Sequence, residues 1–133
     1  MKYYFLDGGG AFLYFAAMIL FMVLTIVIEG VIMLLFKIDK AGKVFLYSLV
    51  VNLASLGAGY LVAPLIRPAG TLGPFTVLQW GIMFAVTVVV EGHLLLLLTK
   101  KKPREKVWLA VIVMNLVSYL LLFAFFRSFR YGF

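Results

Sequence analysis

Four runs of 20 to 26 residues, almost free of charge, dominate this chain: Ala11 to Phe36, Val44 to Ala63, Phe75 to Leu98 and Val107 to Phe126. A hydrocarbon core roughly 30 Å thick takes about 20 residues of helix to cross, so each run is long enough to span it. Spanning strands need only about ten residues and alternate in polarity, and these runs do neither. Of the 133 residues, 65% are hydrophobic and 13% charged, far from the balance of a soluble domain. The sequence predicts an all-α integral membrane protein, residues 1–133 forming one domain of four transmembrane helices in a compact bundle.

The first run is about 39 Å long at 1.5 Å per residue, which predicts tilt or projection from the bilayer. It does not read as a cleaved signal peptide: the apolar part is too long, "MKYYFLDGGG" has no strongly basic start, and no small-x-small cleavage site follows. Gly8 to Gly10 reads as a flexible lead into the helix. Pro64, Pro68 and Pro74, with Gly70 and Gly73, mark the connection between the second and third runs.

Net charge +7 would suit nucleic acid, but the positions of the charges argue otherwise. Lys37, Lys40 and Lys43 sit in one short loop, and Lys100, Lys101, Lys102, Arg104 and Lys106 in another, which makes eight of the twelve basic residues. Lys2, Arg67, Arg127 and Arg130 fall on the opposite side. The positive-inside rule then predicts an inner-membrane protein with loops 37–43 and 99–106 cytoplasmic and both termini outside. The partner of the basic loops is the anionic bilayer surface, not nucleic acid. Arg127, Arg130 and their aromatic neighbours read as an interfacial anchor. With no cysteine, disulfides, thiolate metal sites and cysteine nucleophiles drop out.

The chain also reads as one helical hairpin written twice. "KVFLYSLVVNLAS" (Lys43 to Ser55) aligns without gaps to "KVWLAVIVMNLVS" (Lys106 to Ser118) at an offset of 63. Glu29-Gly30 and Glu91-Gly92 stand 62 apart, with Thr25 and Thr87 each four residues before the glutamate. Apolar matches are common between membrane helices, whereas matched Thr, Glu, Gly, Asn and Ser are not. The predicted repeats are 11–66 and 75–128. Each holds two spans, so the copies enter the membrane in the same direction and are related by a pseudo-two-fold axis along its normal.

Counting inward from the basic borders puts Glu29, Asn52, Glu91 and Asn115 roughly 12 to 14 Å deep, near the midplane. Ser48, Asn52, Ser55 and Gly59 make a polar, small ridge on the second span, and the fourth keeps Asn115 and Ser118 of it. A charged side chain at this depth costs on the order of 3 kcal/mol. That cost falls if at least one glutamate carries a proton and donates it to an asparagine carbonyl. Carboxylates, amides and hydroxyls are also hard ligands that suit a cation at a repeat interface. The expected site is Glu29, Glu91, Asn52, Asn115, Thr25, Thr87, Ser55 and Ser118, binding or moving a proton or hard cation. The pattern specifies neither a metal nor a cofactor.

His93 lies two residues beyond Glu91 and so points away from the glutamate face. No HExxH, GxSxG or Walker loop occurs, and no Ser-His pair shares a face, so no enzymatic activity is expected. The other reading is a non-catalytic accessory or scaffold subunit that uses the quartet as interhelical packing. Four small helices leave much lateral surface bare, which predicts a homodimer or a partner membrane subunit.

Overall fold

The computed structural model describes residues 8–66 and 76–131. They form four helices: α1 (Gly8–Leu35), α2 (Ala41–Ile66), α3 (Val77–Leu98) and α4 (Arg104–Tyr131). Each is long and apolar enough to cross a membrane, with spans of 21, 26, 22 and 21 residues. Consecutive helices pack side by side, and α1 also packs on α4, so the four close into a ring. The diagonal pairs, α1 with α3 and α2 with α4, do not approach one another among the described residues.

Three sequence expectations are corrected. Gly8 to Gly10 belong to α1 rather than to a flexible lead. Glycine costs about 1 kcal/mol relative to alanine in a helix, but an unpaired backbone group in an apolar medium costs more, so the helix continues through them. Pro64 lies inside α2, which runs on to Ile66, rather than in the connecting loop. A proline so near the helix end removes a single intrahelical bond. Arg67, Pro68, Gly70, Gly73 and Pro74 lie outside the described residues, as does Lys2. Helix α4 continues through Arg127 and Arg130 to Tyr131, past the boundary expected at Phe126.

The basic end is built from two tight connections. Lys37 has φ 52°, in the left-handed region. The Ile38 N–H reaches the Met33 carbonyl at 2.9 Å and the Lys37 N–H the Leu34 carbonyl at 2.8 Å. This is the Schellman pattern of a helix C-terminus, completed by the apolar pair Met33 and Ile38, both fully buried. A lysine thus occupies the position that usually takes glycine. Asp39 then covers the start of α2, its Oδ1 accepting from the Lys40 N–H at 2.8 Å and its Oδ2 from the Tyr47 hydroxyl at 3.1 Å. The Lys40 N–H, then the Tyr47 hydroxyl and the charge of Lys43, hold the Asp39 carboxyl below its ordinary 3.8.

At the other end Thr76 caps α3. Its hydroxyl accepts from the Gln79 N–H at 3.2 Å, and the Gln79 side chain accepts from the Thr76 N–H at 2.8 Å. This reciprocal capping box is why α3 starts at Val77 and not at Phe75. Gln79 Nε2 also donates to the Ile66 carbonyl at 2.9 Å, tying the end of α2 to the start of α3.

The core gathers toward the basic end, around Met33, Val44, Val51, Leu95, Val107, Val111 and Met114. Large apolar side chains such as Leu20, Leu61, Leu78, Leu109 and Leu120 face outward. On a water-soluble protein such a continuous apolar exterior would be a liability; around a bilayer-spanning bundle it is the expected outer surface.

Candidate functional site

Inside the ring, the two glutamates come from diagonal helices and are both buried, Glu29 at 1% exposure and Glu91 at 0%. Each bonds to both neighbouring helices. Glu29 on α1 accepts from Ser48 Oγ on α2 at 3.0 Å, from Asn52 Nδ2 on α2, and from Ser118 Oγ on α4 at 3.1 Å. Glu91 on α3 accepts from Asn115 Nδ2 on α4 at 2.7 Å and from Ser55 Oγ on α2 at 2.7 Å. Each glutamate therefore takes its asparagine from its own hairpin and a serine from the other hairpin. Ser118 to Glu29 and Ser55 to Glu91 form a reciprocal crossover. Helices α2 and α4 do not touch directly, and the two carboxylates bridge them.

The direction of the amides is fixed by the backbone. Asn52 Nδ2 also donates to the Ser48 carbonyl at 2.9 Å, and Asn115 Nδ2 to the Val111 carbonyl at 3.0 Å. A backbone carbonyl only accepts, so the nitrogen must face it, and the same nitrogen faces the carboxylate. The asparagines thus donate to the glutamates, the reverse of the acceptor role expected from sequence. All four carboxylate oxygens are engaged by N–H or O–H groups.

The serines carry further bonds. Ser48 Oγ donates to Glu29, and Asn52 Nδ2, whose two hydrogens serve Glu29 and the Ser48 carbonyl, lies a further 3.3 Å from that hydroxyl. Ser55 Oγ lies 2.7 Å from Glu91 Oε1 and 3.1 Å from the Asn52 carbonyl, with a single hydrogen to serve both. If that hydrogen points to the carbonyl, Ser55 is free to accept a proton-bearing Glu91. The same two contacts suit both protonation states of Glu91.

The threonines stand apart from this network. Thr25 is buried on the Glu29 face of α1, but it is not a donor to either carboxylate. Thr87 bonds to the Met83 carbonyl and to the Tyr119 hydroxyl, both at 3.0 Å. Tyr119 meets Phe84 edge-on, with ring centroids 5.2 Å apart. Ser48 and Tyr119 are the polar residues that the sequence-derived site lacks. Ser48 was legible as the residue one turn before Asn52 on the same ridge; Tyr119 carried no comparable signal.

The glycines that follow the glutamates have a packing role. A Cβ on Gly30 would overlap the ring of Phe45, and one on Gly92 the ring of Trp108. Phe45 and Trp108 occupy aligned positions, so each Glu-Gly pair turns its carboxylate to the polar network and its bare backbone to an aromatic ring of the next helix. His93 is exposed, its Nδ1 2.7 Å from the Val89 carbonyl and its ring edge-on to Trp108, and it takes no part in the network. Among the described residues no three His, Asp or Glu side chains converge, and no lysine, arginine or histidine pairs with either glutamate.

By helix length and composition, this is the architecture of a multi-pass helical membrane protein with a polar network at its centre. Comparison with protein-family models, curated proteins and solved structures finds no match to the chain.

Proposed function

We propose that this is an inner-membrane protein built from two copies of a helical hairpin, in which the Glu29–Glu91 pair takes up and releases a proton. The carrying observation is two buried carboxylates, each bonded to both neighbouring helices and neither paired with a cation among the described residues. A charged side chain at the bilayer centre costs on the order of 3 kcal/mol. Interhelical hydrogen bonds in membranes return about 0.6 kcal/mol each. The five donors offset about one charge and leave the second uncovered, and one proton on the pair removes that excess. Reciprocal bonds from Ser55 and Ser118 support the duplication, because equivalent residues of two related hairpins exchange equivalent partners.

A proton is favoured over a hard cation by the donor directions. A cation needs oxygen lone pairs turned toward it, whereas here the amide nitrogens face inward and the carboxylate oxygens are already occupied. The Thr87–Tyr119 hydroxyl pair, one turn from Glu91 toward the less basic end, is the candidate next station for the proton. On this reading the protein is not an enzyme. Its basic loops face the cytoplasm, and its apolar flanks meet lipid, a second copy or a partner subunit.

The test is proton flux into proteoliposomes that enclose a pH-sensitive dye, driven by an imposed membrane potential. Wild type should acidify the lumen, and Glu29→Gln and Glu91→Gln should not.

One observation favours a second reading, an accessory or scaffold subunit with the network as packing. No buried side-chain polar atom among the described residues lacks a hydrogen-bond partner, so the network is complete without a ligand. That reading predicts glutamine variants that fold and assemble as wild type does, and a wild type with no flux of its own.

A further inference from the structure

The two connections at the basic end border an open cavity of about 460 Å³ between the α1–α2 turn and the α3–α4 turn. We propose that it is a binding site for an anionic glycerophospholipid, with the headgroup phosphate on Lys100, Lys101 and Lys102 and the glycerol and first acyl carbons against Leu97 and Leu98.

Three features carry the assignment. The first is charge: Asp39 is the one carboxylate lining the cavity, and it is already engaged by the Lys40 N–H, the Tyr47 hydroxyl and Lys43, whose Nζ is 3.8 Å away. It also feels the charge of Lys102, but one carboxylate faces four lysines in the lining, so the cavity keeps a net positive charge, and Lys100, Lys101 and Lys102 make no ion pair among the described residues. The second is the order of the lining along the chain. Leu97 and Leu98 are the last residues of α3, the lysines follow directly after Thr99, and Leu97 is 64% exposed. An apolar wall thus leads from the bilayer side into a cationic rim, the same polarity order as a phospholipid. The third is position: basic recesses between transmembrane helices at the membrane border suit anionic headgroups. A free phosphate ester would satisfy the lysines but leave the leucine wall unused, so the occupant is the lipid.

The experiment measures retention of phosphatidylglycerol against phosphatidylcholine by native mass spectrometry of the full chain, released from micelles that contain both lipids. Wild type should retain the anionic lipid preferentially. Lys101→Gln with Lys102→Gln should weaken that preference about 30-fold, two lysines at the strength of a juxtamembrane charge. Lys37→Gln with Lys40→Gln removes the same charge from the same end without touching the lining, and should leave the preference unchanged. Asp39→Asn removes the opposing charge and should tighten retention about fivefold, a gain that misfolding would not produce. Equal losses from the two lysine pairs would overturn the proposal in favour of diffuse surface attraction. Displacement of the lipid by millimolar inorganic phosphate would overturn it in favour of a free-anion site.

Discussion

Replacing Gly92 by alanine tests whether the Glu-Gly pair is a packing device. A methyl group at this position would overlap three atoms of the Trp108 six-membered ring. Trp108 is only half-buried, but His93 lies edge-on to it at 5.3 Å, so the ring cannot swing away without losing that contact. Overpacking of this kind costs about 1 to 3 kcal/mol. Gly81 lies on the same helix with nothing within 4 Å of the corresponding position. Gly81→Ala should therefore show the ordinary helix preference, a stabilisation of about 0.5 to 1 kcal/mol. Gly92→Ala gains the same helix preference, so the two variants should separate by the overpacking alone, roughly 1 to 3 kcal/mol in equilibrium unfolding in mixed detergent micelles. In a Trp108→Ala background the Gly92→Ala penalty should vanish, and the double-mutant cycle isolates that contact. If Gly92→Ala unfolds together with Gly81→Ala, or if the penalty survives loss of the ring, the packing argument is wrong.

Further outcomes follow from the same geometry. Ser55→Ala and Ser118→Ala each remove the sole side-chain donor, among the described residues, to one carboxylate oxygen and should destabilise by about 0.6 to 1.7 kcal/mol; Ser48→Ala should cost less, because Asn52 still serves the same oxygen of Glu29. Lys37→Gly should stabilise by about 1 kcal/mol, since the left-handed conformation at φ 52° carries a penalty that glycine escapes. The Asp39 carboxyl is held below its ordinary value, so its contribution is present above the unfolded-state value and is lost as pH falls through the folded one. Melting temperature should drop on acidification below about pH 4 in wild type, and should drop less in Asp39→Asn, which has no carboxyl to protonate there.

The length of the apolar runs made the four helices legible, because crossing a bilayer leaves helical hydrogen bonding as the only choice for an unbranched apolar segment. Depth counting from the basic borders likewise placed Glu29, Asn52, Glu91 and Asn115 at one level, and the structure joins each glutamate to its asparagine. Helix boundaries were less legible. Gly8 to Gly10 and Pro64 signal loops in water, but backbone pairing in an apolar medium overrides those preferences. The capping box of Thr76 and Gln79 was written in "TVLQ", yet the apolar Phe75 before it masked the start of α3. The crossover of Ser55 and Ser118 could not be read from sequence, since it depends on α1 closing against α4. Nor could the amide direction, which is set by the carbonyls of Ser48 and Val111.

Proton exchange by the carboxyl pair can be followed by infrared difference spectroscopy of the protein in lipid nanodiscs as pH is cycled. A protonated-carboxyl band should appear and disappear with pH, shift when Ser55 is replaced by alanine, and be absent from the Glu29→Gln, Glu91→Gln double variant. A spectrum in which the double variant and wild type show the same carboxyl changes would contradict it, and would leave the network as packing alone.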